Sequence, residues 1–410
     1  MKMKHLFRAF GAFLIAGSLL FAGCDTSTQP QSEGNNSSVQ QQTQQKNGAP
    51  IDGQYIIVMN TQTGKNKAQL NDGVDEQRNQ ILSAHAIPQD RVFHNYNTAI
   101  QGFSAQLTPS QVSELQKDDR ISYIEQDRRL ILSPPCGTPV NPCNDGGGGS
   151  TGQTTPWGIT RIGGATANNG TAWIIDTGID LDHPDLNVDV NRSATFVSKG
   201  KDAKSADDGN GHGTHVAGTI AAIDNNIDVV GVAAGATVVA VKVLDSHGSG
   251  AYSDVIAGID YVAQNASPGD AANMSLGGPI SQALDDAVRN AADAGVLFAV
   301  AAGNDSDDAN NYSPARVEYQ NVWTISAIDD NDAFASFSNY SGPTDPPIEF
   351  AAPGVNILSL WKNGGTNTIS GTSMATPHVT GLLLVTGGNI NSDGTATGDP
   401  DGDPDPIAHN

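Results

Sequence analysis

The hydrophobic pattern becomes regular near Gln54, after a polar stretch without periodicity. Tyr55-Ile-Ile-Val-Met59 predicts a strand, Glu76–His85 a helix, and Val92–Tyr96 and Gly102–Leu107 two more strands. In the last of these Phe103, Ala105 and Leu107 alternate with polar neighbours, the period of a half-buried strand. Thr108-Pro109 supplies an N-cap followed by Pro at the first helical position, so a helix is expected to about Lys117. Ile121-Ser-Tyr-Ile-Glu125 completes the order β-α-β-β-α-β, that of a small ferredoxin-like domain.

From Trp157 the pattern changes. Ala172–Ile175, Val238–Leu244, Asn273–Leu276, Val296–Ala302 and Val322–Ser326 are continuous apolar runs, suited to strands covered on both faces. Helical patterns lie between them, including Asp254–Asn265 and Ser281–Ala294, the second with Ser281 as N-cap and Gly295 as terminator. This alternation predicts an α/β domain with a mainly parallel sheet, whose ligand sites sit at the carboxyl ends of the strands. A last helix is expected from Met374 to about Val385.

The chain therefore divides into residues 1–23 as an export signal, 24–53 as a disordered tether, 54–132 as the small domain, 133–156 as a linker with Gly146–Gly149, 157–388 as the α/β domain, and 389–410 as an acidic Gly, Asp and Pro rich tail. Nothing in the tail reads as a helix. Its Asp-rich part, Gly398–Asp405, lacks the Glu and spacing of an EF-hand loop and reads as a solvated acidic turn.

Charge narrows the function. The chain has 44 acidic and 21 basic side chains, and residues 1–132 hold 12 of each, so residues 133–410 carry the whole net charge of −23. Nucleic-acid binding is excluded on that ground, since neutralising phosphates requires clustered Lys and Arg. Basic Met1–Arg8 precedes the apolar run Ala9–Ala22, short for a membrane span, as in an export signal. Leu20-Phe-Ala-Gly-Cys24 resembles a bacterial lipobox, with Phe21 in place of the usual Leu, and implies lipidation of Cys24. Cys136 and Cys143 then remain as a pair able to form a disulfide outside the cytosol.

Three local sequences carry candidate chemistry. Asp176 ends the first long strand in Ile174-Ile-Asp-Thr-Gly178; alone, an Asp there is more often a turn or cap residue. His212 stands in Asn210-Gly-His-Gly-Thr-His-Val-Ala-Gly218, where a lone His is a helix-end group and the pair with His215 could suggest a metal. Ser373 lies in Gly371-Thr-Ser-Met-Ala-Thr-Pro-His-Val379, where a Ser at a loop-to-helix transition is also an ordinary N-cap.

Together the three segments resemble the Asp, His and Ser motifs of subtilisin-like serine proteases, in that family's order. The resemblance is close over about residues 153–388 and looser over 54–132. It implies a subtilisin-like three-layer domain preceded by a ferredoxin-like α+β propeptide domain that acts as folding chaperone and inhibitor. The implied activity is serine endopeptidase action on protein or peptide substrates, with Asp176, His212 and Ser373 as triad and Asn304 as side-chain donor to the oxyanion. His215 is expected to pack rather than catalyse. Gly248-Ser249-Gly250 and Ser275-Leu276-Gly277 resemble the two edges that clamp an extended peptide, and Ala301-Ala302-Gly303 the wall of the main specificity pocket.

The resemblance further implies a structural Ca²⁺ held by Gln153, Asp185 and Asn225 with carbonyls of Ile223, Ile227 and Val229, and no organic cofactor. Self-cleavage is expected near Leu132–Ser133, which would part a precursor anchored to the membrane through Cys24 from a freed protease, extracellular or at the cell surface. A lipase would instead show Gly-x-Ser-x-Gly, which Gly371-Thr-Ser-Met-Ala does not match. An inactive binding protein on the same fold would lack a triad member, and none is missing.

Overall fold

The structure is a computed structural model and describes residues 46–61, 67–132, 147–148, 152–341 and 348–410. Cys24, Cys136 and Cys143 lie outside the described residues, so the lipidation and disulfide expectations do too.

The N-terminal domain runs β1 (Pro50–Met59), α1 (Lys67–Ala84), β2 (Val92–Tyr96), β3 (Gly102–Gln106), α2 (Pro109–Leu115) and β4 (Ile121–Ile131). Its antiparallel strands are ordered β4-β1-β3-β2, as the ferredoxin-like reading requires. Thr108 and Gln111 close a reciprocal capping box at α2. The apolar run in β1 does not alternate because both faces of this sheet are covered. Ile57, Met59, Phe103 and Ala105 pack with Ile81 and Leu115 of the domain's own helices, whereas Ile56, Val58, Tyr96 and Leu130 join the core of the larger domain.

The rest of the chain follows as β5 (Gly147–Gly148), α3 (Trp157–Arg161), β6 (Thr171–Asp176), short β7 (Asn187–Val188) and β8 (Ala194–Thr195), α4 (His212–Ala221) and β9 (Thr237–Lys242). Next come β10 (Ser249–Ala251), α5 (Tyr252–Asn265), β11 (Ala271–Met274), β12 (Gly278–Pro279), α6 (Gln282–Asp293) and β13 (Leu297–Ala301). The chain ends with β14 (Tyr312–Ser313), β15 (Val322–Ile328), β16 (Ile348–Pro353), β17 (Ile357–Trp361), β18 (Gly365–Ile369), α7 (Thr372–Thr386), β19 (Asn391–Thr395) and β20 (Pro406–His409).

The main sheet is ordered β19-β20-β16-β15-β13-β11-β6-β9-β7, and every pairing is parallel except that of β19 with β20. Helices α5 and α6 cover one face through Val255, Ile259, Leu284 and Val288. Helices α4 and α7 cover the other through Val216, Ile220, Val379 and Leu382. Three layers result, and the strands inside them are apolar on both sides.

Two expectations about chain ends change. The last strand of the small domain, expected over Ile121–Glu125, continues to Ile131. Gly398–Asp405 is not a solvated turn throughout. It links β19 to β20, β20 adds to the sheet beside β16, and Asp405 is buried with its carboxylate accepting from Ser326 Oγ. Burial of Ile407 and Ala408 holds that segment down despite the acidic, turn-rich sequence around them.

Candidate active site

Asp176 is the last residue of β6 and is fully buried. Its two carboxylate oxygens lie 2.8 and 2.9 Å from His212 Nδ1, and Thr177 N donates to Oδ1 at 2.7 Å. His212 opens α4, after Gly211 at φ 114°, where a Cβ would collide with the Trp361 ring. The turn before it is organised by Asp208, a buried carboxylate the sequence reading missed. Asp208 accepts from Asn210 N and Gly211 N at 2.9 Å, Thr214 N at 3.0 Å and Thr177 Oγ1 at 3.0 Å. Thr177 Oγ1 in turn accepts from Gly213 N at 2.9 Å, tying the Asp176 strand end to the His212 helix.

Burial alone would lower the His212 pKa, but the charge and hydrogen bond of Asp176, with Asp208 behind it, outweigh burial and raise it. His215 differs. It is buried, donates from Nε2 to Ile357 O at 3.0 Å, meets Trp361 edge-on, and is held down to about 3 chiefly by desolvation. It is a neutral packing residue, as expected.

Ser373 sits in the first turn of α7 and is nearly buried. Its Oγ donates to Ser275 O at 3.1 Å rather than to His212. Ser275 Oγ returns a bond to Ser373 O at 2.8 Å. The second bond has a sequence cause: Pro377, four residues on, has no N–H to serve the Ser373 carbonyl, so Ser275 satisfies it. Asn304 Oδ1 accepts from Thr372 N at 2.9 Å and Thr372 Oγ1 at 3.0 Å, which fixes the amide beside the nucleophile. Asn339, also missed, positions that loop, donating to Ala302 O at 2.9 Å and accepting from Asp305 N at 2.9 Å and Asp307 N at 3.1 Å.

Ser373 and Asn304 line one cleft with Ser275, Leu276, Gly277, Ala301, Ala302 and Gly303. Tyr312 and Asp305 add pocket wall that sequence reasoning did not find. The other edge, Gly248-Ser249-Gly250, pairs antiparallel with β4 through Ser249↔Ile131 and Gly250↔Leu130, and Leu132 N donates to Gly248 O at 3.0 Å. The N-terminal domain thus lays its last strand along the cleft.

Behind that strand the same domain is fastened to the N-terminal ends of α5 and α6. Asp127 accepts from Ser253 N at 3.2 Å and Glu125 from Ala283 N at 3.1 Å. Burial pushes the Asp127 carboxyl up to about 6, against the Ser253 bonds that favour its charge. Buried Asp260 of α5 accepts from Thr98 N and Ala99 N, both at 2.7 Å.

All six residues expected at a metal site converge. Asn225 Nδ2 donates to Asp185 Oδ1, Val229 N donates to Asp185 Oδ2 at 3.4 Å, and Gln153 Nε2 donates to Ile223 O at 2.8 Å and Val229 O at 3.4 Å. Ile227 enters through its N–H, donating to Asn225 Oδ1 at 2.7 Å. Asp185 is fully buried, and burial pushes its carboxyl up to about 6, against the hydrogen bonds from Asn225 and Val229.

The profile described as "Subtilase family" matches residues 172–393 and that described as "Peptidase inhibitor I9" residues 54–133. Alkaline serine exoprotease A of Vibrio alginolyticus is 43% identical over 302 residues, which are 71% of this chain and 52% of that protein. This chain thus spans about half the length of that relative. The extracellular serine proteinase of Thermus sp. strain Rt41A is 38% identical over 362 residues, covering 82% of this chain and 80% of its own. Proteinase R of Parengyodontium album is 38% identical over 306 residues, 70% of each chain. A crystal structure of a cold adapted subtilisin-like serine proteinase aligns at 42% identity over 56% of this chain and 84% of its own, with TM-score 0.48.

Proposed function

The chain belongs to the subtilase family, a serine peptidase carrying its own I9-type inhibitor domain, and from that premise we propose that it is a secreted, self-cleaving zymogen whose nucleophile is Ser373. The observation that carries the reading is the Asp176–His212 pair, bonded through Nδ1 so that Nε2 is left as the proton acceptor.

Ser373 Oγ turns from Ser275 O toward His212 Nε2, which takes its proton as the oxygen attacks the peptide carbonyl. Asp176 holds the tautomer and stabilises the imidazolium. Negative charge developing on the carbonyl oxygen meets Asn304 Nδ2 and the N-terminal end of α7. His212 then gives its proton to the leaving amine, and water completes hydrolysis of the acyl-enzyme by the same exchange in reverse. Removing the Asn304 donor as Asn304→Ala is expected to lower kcat about 10²–10³-fold, the loss known for this donor in subtilisin, with KM little changed. Steady-state kinetics on the mature enzyme checks it; an equal rise in KM with kcat intact would make Asn304 a ground-state contact.

The N-terminal domain acts as inhibitor because β4 occupies the edge a substrate would use, and as folding aid because its apolar face completes the core over α5 and α6. Maturation is expected near Leu132–Ser133. N-terminal sequencing of the active product tests this, and a terminus outside residues 128–156 rejects it. Export is supported by the basic and apolar start of the chain, and lipidation of Cys24 would tether the precursor until that cut. Protein and peptide chains are the substrates.

The Asp185 site fits a hard cation. Among the described residues no ion pair reaches the buried Asp185 carboxylate, and two amides and two carbonyls are hydrogen-bonded in the same cluster. Asp185, Asn225, Gln153 and the Ile223 and Val229 carbonyls would hold Ca²⁺, which would supply the missing charge and cross-link the 222–230 loop to the segment at Gln153. A chelator should lower Tm by about 5–10 °C relative to millimolar Ca²⁺. Calorimetry should show that difference vanish in Asp185→Ala; an unchanged Tm in the wild type would contradict the site.

A further inference from the structure

The strand β4 is flanked on its second edge by an unexpected neighbour. Its amides alternate sides: Leu132 N donates to Gly248 O of the peptidase at 3.0 Å, whereas Arg129 N donates to Ala49 O at 2.9 Å and Ile131 N to Asn47 Oδ1 at 3.1 Å. Residues 46–49 therefore run beside β4 where the peptidase's other substrate edge, Ser275-Leu276-Gly277, would otherwise meet it. Asn47 bridges the gap, since its Nδ2 donates to Gly277 O at 3.1 Å. Its side chain lines the same cleft as Ser373.

The path is built for close approach. Gly48 is buried at φ 75°, and a Cβ there would collide with the Pro279 ring. Gly48 N donates to Arg129 O at 2.9 Å, and Arg128 Nη1 donates to Gly48 O at 3.0 Å. The I9 match begins at residue 54, so this segment lies outside it.

We propose that residues 46–49 form a strap belonging to the inhibitor, with Asn47 as the positioning residue that ties β4 to Gly277 and delays departure of the N-terminal domain after self-cleavage. The proposal rests on the zymogen reading above. It makes the inhibitor bipartite: β4 grips one peptidase edge directly, and Asn47 links it to the other. Without the strap, the amides of Arg129 and Ile131 lose their partners and one half of the clamp is gone.

The test uses the full chain refolded from denaturant, following the cut by intact mass and activity by hydrolysis of a chromogenic peptide anilide. Wild type should show a lag between cut and activity. Asn47→Ala and Gly48→Val should shorten that lag about tenfold while the rate of the cut stays within about twofold, and Lys46→Ala should behave as wild type. Damage to the domain's fold would instead slow the cut itself. A second readout needs no cleavage: in uncut Ser373→Ala precursor, Asn47→Ala should speed hydrogen exchange at Ile131 about tenfold. Equal lags and equal exchange in wild type and Asn47→Ala would overturn the strap. A wild-type chain that folds but is never cut would overturn the zymogen reading and this inference with it.

Discussion

Ser373→Ala is expected to leave the folded precursor at full length indefinitely, with peptidase activity reduced about 10⁶-fold, the size of loss known when the serine or histidine of the subtilisin triad is removed. The substitution costs the fold little, because the hydroxyl makes one described bond, to Ser275 O at 3.1 Å, and such a bond contributes about 1 kcal/mol. The helix carrying it is held independently by Thr372 on Asn304 and by the apolar burial of Met374, Ala375 and Val379. A gel that keeps the uncut band while Tm moves by only a few degrees is the expected result. Cutting near Leu132–Ser133 at the wild-type rate would mean that another group does the chemistry.

Asp176→Asn is expected to slow self-cleavage about 10⁴-fold, the effect known for this exchange in a serine protease triad. The amide is the right size for the fully buried site, but it can donate where the carboxylate only accepts. An NH₂ facing His212 Nδ1 selects the tautomer with the proton on Nε2, and that nitrogen can no longer take the Ser373 proton. The pH profile should move as well. His212 must be neutral to act, and Asp176 is the main group raising its pKa against burial. Activity in the wild type is therefore lost as pH falls through that raised value. With the charge removed, burial dominates and the acidic limb should shift to lower pH. First-order cleavage rates from intact mass across pH 5–9 would read both effects; an unmoved limb would assign the pKa to another group.

Much of this was legible in the sequence because its physics is local. Parallel strands buried on both faces appear as runs such as Ala172–Ile175, and the structure moves their ends by a few residues. Ser281 announced α6 by capping Leu284 N, as a local signal should. The elements overlooked are those whose stabilising partners are remote. The strand expected to end at Glu125 continues through residues 126–129 of β4, where Asp127 is buried against Ser253, 126 positions away in the chain. β16 carries Glu349 and ends at Pro353, an unpromising strand until β15 and β20 flank it.

The site divides the same way. Asp176, His212 and Ser373 sit in recognisable local motifs, whereas Asp208 looks like an ordinary turn residue until its four partners are seen together. Asn339 reaches Ala302, 37 positions back, and Asn47 reaches Gly277, 230 positions ahead. No window of sequence holds both halves of such contacts.

The central claim is that Asp176 and His212 make Ser373 a nucleophile, and covalent labelling with a fluorophosphonate tests it most directly. Matured wild-type protein should take up one phosphonyl group, mapped by mass spectrometry to the peptide containing Ser373, and Ser373→Ala should take up none. A folded, cleaved wild type that stays unlabelled, or a label that persists in Ser373→Ala, would contradict it.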